Sequence, residues 1–260
     1  MFDTSLLSDA KPRSSLGLLR DALKHLLPTS VKIWQESWLT LVVLQVLYGI
    51  GGQFFAYATD QVYAMGREDI PLIAFIAGFE LVLTFLWSAL WTLVICSTIQ
   101  SPEEWAAVPI SSRFNQLLIE QVRGLASVIW RMPLLLVPAI VQYVRLAFVP
   151  YIVALDRAYL RGEVDALQMS RRLSRGHFFL LSITLIITSI TPWIAEEIAH
   201  AGSGRYFLIN PIGVGFGWAM TLIINLLSSV FFLELFRGQF KSQLGSKTST
   251  TAQPAAGLSN

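Results

Sequence analysis

An all-α, polytopic membrane helical bundle is the fold class this sequence predicts, with about six membrane segments and one interfacial helix. Three observations predict it. Hydrophobic residues make up 54% of the chain and charged residues 14%, with a mean hydropathy of +0.57. Soluble domains carry about 25% charged residues. Five apolar stretches with few or no charges fill about half of the sequence. One arginine-rich segment lies between two of them, where a surface helix would separate two spans. The net charge of +2 gives no sign of a nucleic-acid partner. A single cysteine, Cys96, excludes an internal disulfide framework or a cysteine zinc site.

The elements follow in order. Residues 14–27 place Leu16, Leu19, Leu23, Leu26 and Leu27 at helical spacing, with Arg20, Asp21 and Lys24 elsewhere. This is an amphipathic helix ended by Pro28, lying either in the membrane interface or against its own protein. The expected organisation is a cytoplasmic N-terminal segment (1–37), a membrane domain (38–236) and a disordered cytoplasmic tail (237–260) rich in Ser, Thr, Gln and Gly. Residues 38–58 carry no charge and form the first span. They start too far into the chain for a cleaved leader, so the span is expected to be retained. Residues 71–99 form a second span, interrupted only by Glu80. Residues 178–195 and 207–233 are uncharged and long enough to cross roughly 30 Å of hydrocarbon.

Residues 124–155 are harder to thread, since they contain Arg131, Arg145, Pro133, Pro138 and Pro150. A single crossing would divide the basic residues almost evenly between the two sides. A hairpin bent near Pro138 leaves only Arg67 and Arg205 outside, with Arg131 and Arg145 in the membrane region. The positive-inside rule therefore favours the hairpin and places both termini in the cytoplasm, in a bacterial inner membrane. Two full crossings want about 40 residues. The first arm must then begin near Phe114, or one arm must be short or re-entrant.

The segment 161–177 is the most informative polar stretch. Gly162 and Gly176 bracket a short helix. Glu163 and Asp165 fall in its first turn and Arg171, Arg172 and Arg175 in its last, which suits the helix dipole. Val164, Ala166, Leu167, Met169 and Leu173 give it an apolar side. Arg157, Arg161, Arg171, Arg172 and Arg175 are the candidate contacts to anionic lipid headgroups. The plainer reading is a topology anchor that does no more than satisfy the charge rule.

Within residues 144–181, Arg145, Pro150, Asp156, Ala166, Leu167, Ser170, Leu173 and Gly176 form a pattern. It resembles the hallmark region of a poorly characterised group of prokaryotic multi-pass proteins. That group includes the membrane domain of glycerophosphoryl diester phosphodiesterases and related domains of unknown function. The resemblance implies a membrane architecture and no activity. The carboxylate–histidine metal set of those enzymes has no counterpart here.

Glu80 and Arg131 are the candidate intramembrane pair, each neutralising the other at depth, either as a structural link or as a proton or substrate site. Arg145 is expected to pair with Asp156 or to cap a short helix. Glu196, Glu197 and His200 form a small cluster, but the other two histidines, His25 and His177, belong on the opposite side. An exposed cluster outweighs a metal site. Gly49, Gly51 and Gly52, and Gly213, Gly215 and Gly217, allow close helix approach, and no nucleotide loop follows them. Trp34, Trp38, Trp105, Trp193 and Tyr206 suit the headgroup level. Trp87, Trp91 and Trp218 lie deeper, as packing residues.

The expected function is that of a non-enzymatic scaffold, accessory or lipid-contacting membrane component. Its partners would be the bilayer, with anionic lipids, and a second membrane protein or another copy of the chain. No cofactor is expected. The alternative is a small transporter or channel subunit using Glu80 and Arg131, which a polar cavity at Glu80 would favour.

Overall fold

Pro28 does not end the first helix. In the computed structural model, which describes residues 14–64, 70–131, 136–200 and 210–251, α1 is continuous over Ser15–Ala64 with Pro28 inside it. An internal proline forfeits one backbone hydrogen bond. Packing on both flanks offsets that loss, because Leu18 and Ala22 before it, and Ile33 and Leu41 after it, are buried. The leucine stripe faces away from this packing, with Leu16, Leu23 and Leu27 exposed.

The second helix, α2 (Ile70–Ile99), matches the expected second span. A short α3 (Pro102–Ala106) begins on Ser101, whose hydroxyl accepts from the Glu104 N–H at 3.3 Å. The amphipathic α4 (Ile110–Ile129) follows. The stretch expected to form a hairpin is broken into α4, α5 (Leu136–Arg145) and α6 (Val149–Leu155). Pro138 is not the bend. It sits in the first turn of α5, where a proline lacks no needed donor; the connection from α4 precedes it, and a second break falls after Arg145. Pro150 lies in the first turn of α6. Two short helices, α7 (Arg157–Leu160) and α8 (Ala166–Ser174), precede the longer α9 (Phe178–His200) and α10 (Pro211–Thr251).

The last helix, α10, is described as far as Thr251, within the segment expected to form the C-terminal tail. No proline interrupts residues 212–253, and Pro254 is the first residue that would stop the helix. The described residues are all-α, without a sheet. Among the described residues, four stretches are long and apolar enough to cross a membrane: Ser15–Ala64, Ile70–Ile99, Val137–Leu155 and Pro211–Gln239. A multi-pass membrane protein is the plain reading of them.

The chain divides into two units. One comprises Ser30–Leu118 and Thr184–Ser229. Its glycines make room for larger neighbours. A Cβ on Gly49 would stand 2.5 Å from the Trp218 indole, and one on Gly51 would collide with Leu83. Small residues thus set close helix approach in the first span. Trp87 stacks between Tyr48 and Trp91 at 4.8 and 5.1 Å, and Trp91 Nε1 donates to the Ser229 hydroxyl at 3.0 Å. Arg113 is fully buried, with its guanidinium 4.4 Å above the Trp105 ring and donating to the carbonyls of Glu104 and Trp105. Outward faces of this unit are apolar, as at Leu47, Phe54, Phe75, Val82, Ile187 and Phe216. Such a surface suits lipid rather than water.

The other unit takes in the described parts of Met1–Thr29, Ile119–Ile183 and Val230–Asn260. Its core is α6, where Ile152, Val153, Ala154 and Leu155 are fully buried. Phe236 packs against Phe148 and Tyr151 at 6.1 and 6.4 Å. Gly238 admits Leu18, whose Cδ2 would stand 3.0 Å from an added Cβ. Polar contacts join distant segments: Ser15 to His177 Nδ1 at 2.8 Å, and Thr29 to Glu234 at 3.0 Å, with Arg237 on the same carboxylate at 2.8 Å.

Candidate functional site

The arginine-bearing segment is built from two helix ends. Gly162, at φ 75°, ends α7 rather than starting α8. Its N–H bonds the Tyr159 carbonyl and the Glu163 N–H bonds that of Ala158, both at 2.9 Å. This paired closure needs a left-handed residue after the cap, and glycine adopts that conformation without a Cβ clash. Asp165 then caps α8, accepting from the Leu167 N–H at 3.1 Å. The acids expected in the first turn are therefore a cap (Asp165) and a loop residue (Glu163). Arg171 and Arg172 lie in the last turn of α8, and Arg175 is its C-cap.

The inner face of α8 is buried: Ala166, Leu167, Met169, Ser170, Leu173 and Ser174. It packs on α6 and α5. Ser170 carries the joint between them. Its hydroxyl donates to the Arg145 carbonyl at 2.8 Å and accepts from the Phe148 N–H at 3.2 Å. Those two groups are left over by the break between α5 and α6. Ser174, one turn on, has its hydroxyl 3.2 Å from the Arg171 carbonyl and 3.4 Å from that of Arg145. Arg145 thus contributes its backbone carbonyl to this joint, while its exposed side chain forms neither the expected pair with Asp156 nor the expected cap. Asp156 is fully buried and caps α7 through the Ala158 N–H at 3.1 Å.

The outer face of α8 borders an open hollow of about 650 Å³ lined by Glu163, Asp165, Gln168, Arg171, Arg172 and Arg175 among others. Arg157, Arg161, Arg172 and Arg175 are exposed, and Arg171 is half-buried. Arg161 forks onto Glu163 at 2.6 and 2.9 Å. From α4, Arg123 grips Asp165 with two bonds of 3.0 Å and reaches Glu120 at 3.3 Å. Glu120 also accepts from the Tyr159 hydroxyl at 3.4 Å. Burial, then the Glu120 charge, holds the Tyr159 phenol well above its ordinary value. Burial lowers the Arg171 value, and the positive field of Arg131 adds to the effect, with smaller contributions from Arg123 and Arg145 against Asp165.

Glu80 and Arg131 fall in different units. The Glu80 side chain is exposed on α2, and its backbone carbonyl accepts from Thr84 at 2.9 Å. Arg131 follows the last turn of α4 and donates to the Ser127 carbonyl at 3.3 Å. Glu196, Glu197 and His200 belong to the end of α9, and their side chains lie outside the described residues, as do Trp193 and Tyr206. Among the described residues no His, Cys, Asp and Glu side chains gather as a metal set.

Sequence reading missed the network of Glu120, Arg123, Tyr159 and Asp165. The spacing of Glu120 and Arg123, three apart on a helix, was a visible signal. Nothing local announces Asp165 as their partner, 42 residues on. No family model, curated protein or solved structure matches the chain.

Proposed function

We propose that this is a non-enzymatic, multi-pass membrane protein whose α8 rests against the anionic headgroups of one leaflet, as a lipid-contacting scaffold or accessory component. One observation carries the reading. α8 has a closed apolar-and-serine face against α5 and α6, and an opposite face that presents Gln168, Arg172 and Arg175. Beside it, Ile119, Val122, Ile129 and Trp130 of the α4 arm, and Val137, Ile140 and Tyr143 of α5, are exposed apolar side chains. Basic groups next to outward apolar groups suit the boundary between headgroups and acyl chains. The exposed leucine stripe of α1 repeats that character. Kinship with the phosphodiesterase-associated membrane domains is part of the proposal. The residues of that pattern, from Arg145 to Leu173, make up the α5–α6–α8 joint.

The same packing supports a threading. A helix with exposed arginines belongs at headgroup level, and α6, which packs on it, belongs there too. Only α5 then turns apolar side chains outward. Its 10 residues reach about 15 Å, half of a roughly 30 Å core. In this proposal α4 and α5 form a surface hairpin, and α1, α2, α9 and α10 cross. Every lysine and arginine except Arg67 and Arg205 then falls on the cytoplasmic side with both termini.

The test is lipid selectivity. The full chain is reconstituted in nanodiscs that mix zwitterionic and anionic lipids, and the lipids held at the protein are quantified. Enrichment of anionic lipid is expected, falling about fivefold for each of R172Q and R175Q, on the basis of about 1 kcal/mol per basic residue at such a surface. Equal retention of both lipid types by the unmodified chain would defeat the reading.

A further inference from the structure

We propose that Glu80 marks a docking groove between α1 and α2 for a transmembrane helix of another protein, one that carries a lysine or arginine within its membrane segment. This surface requires α2 to cross the bilayer, as threaded above, but not the contact of α8 with headgroups. α2 is one of the helices long and apolar enough to cross. Residues 70–79, between its start and Glu80, carry no charge, and Ile70, Leu72, Phe75 and Phe79 among them are exposed. Such side chains belong in hydrocarbon, which sets Glu80 up to about 15 Å inside the boundary. A glutamate side chain is too short to reach the headgroups from there. Acyl chains offer a carboxylate neither a hydrogen bond nor a counter-charge, so ionisable groups at depth pair with another group or line a polar cavity. Glu80 finds no such partner in its own chain. Its side chain is exposed and makes no ion pair or hydrogen bond among the described residues. Its neighbours Leu81 and Val82 are exposed and apolar.

The two helices leave room at this place. Glu80 shares one side of α2 with Leu83, Thr84 and Trp87, which follow it by three, four and seven residues. Those three meet α1. A Cβ on Gly51 would collide with Leu83, the Tyr48 and Thr84 hydroxyls are 3.4 Å apart, and the Tyr48 and Trp87 rings stack at 4.8 Å. One turn further along there is open space. On α2 that turn brings the exposed Glu80, and on α1 it brings Gly52, where an added Cβ would meet nothing within 4 Å. Ala77, one turn before Glu80 on the same side, is exposed as well. Small residues such as Gly52 and Ala77 let another helix backbone approach closely. Charge selects the occupant. A lone acid at depth is complemented by a base at the same depth, which is itself costly in lipid until paired. A second copy of this chain offers none, because residues 33–66, 68–112, 176–204 and 206–236 contain no lysine or arginine. Two copies meeting through Glu80 would set acid against acid.

The experiment uses the full chain in vesicles of phosphatidylcholine alone, where no anionic lipid competes. The probe is a synthetic transmembrane peptide of leucine and alanine with a single lysine at the depth of Glu80, and association is read by energy transfer between labelled chain and peptide. Saturable association is expected, at least tenfold weaker for the same peptide with leucine in place of the lysine. That comparison needs no variant. E80Q is expected to weaken the lysine peptide at least tenfold, and G52L to block it by filling the groove. R172Q/R175Q, which lowers lipid retention if α8 contacts headgroups, is expected to leave peptide association unchanged, so the two readings fail separately. Equal association of the lysine and leucine peptides overturns the site, as does a lysine peptide indifferent to E80Q. Energy transfer between differently labelled copies of the chain, lost in E80Q, would make the occupant a second copy and overturn it too. If neither peptide associates, lipid covers this face and the site falls.

Discussion

Ser170 carries more than its size suggests. Its hydroxyl satisfies an orphan carbonyl and an orphan N–H at one helix break, with its side chain fully buried. S170A is expected to destabilise the protein by about 1–3 kcal/mol, because the Phe148 N–H loses its acceptor and the Arg145 carbonyl keeps only the longer contact to Ser174. Ser174 shares its hydroxyl between two carbonyls at 3.2 and 3.4 Å, so S174A should cost less. Thermal unfolding of the purified variants compares the two. His177 gives a prediction in pH. Burial lowers its value below the ordinary 6.5, while Nδ1 meets the Ser15 hydroxyl at 2.8 Å. The unfolded chain then binds a proton more readily than the folded one as the pH falls below about 6.5. The stability tied to the neutral ring is whole above that value and is lost on acidification through the folded value. H177Q should flatten the slope of melting temperature against pH between neutrality and about pH 5. An unchanged slope would remove His177 as its source.

At the scale of elements, hydropathy located what hydropathy governs. The apolar runs at 71–99 and 178–195 lie within α2 and α9, and the start of α8 is signalled by Asp165. Two features were illegible. The break after Arg145 is not written in its own residues, because the partner that stabilises it is Ser170, 25 residues away. The continuity of α1 through Pro28 depends on Leu18 and Ile33 being packed by other segments, so a local rule for proline misjudged it. The α4–α5 arms test the threading. Trp130 is 82% exposed next to the end of α4. A cysteine there, in a Cys96→Ala background, should resist an impermeant maleimide added outside intact cells, since a surface hairpin never reaches that face. Labelling from outside would mean a full crossing.

For the whole molecule, charge position is the property that ties sequence to orientation. The all-α class and the long apolar helices were readable from composition and run length. The candidate site was readable only in part. The arginines of α8 were visible, whereas the tie of Arg123 on α4 to Asp165 at the start of α8 is a product of tertiary packing. The account depends on α8 facing the same side as the termini, opposite the segment between α9 and α10. Ser174 is a poor probe of this because it is fully buried. Gln168 is exposed on the outer face of α8 and serves better. The decisive measurement is impermeant maleimide labelling of single cysteines at Gln168 and at Ser203, in a Cys96→Ala background, in intact and permeabilised cells. The account predicts labelling of Ser203→Cys in intact cells and of Gln168→Cys only after permeabilisation. Labelling of Gln168→Cys in intact cells would put α8 on the outer face and contradict both the threading and the headgroup role.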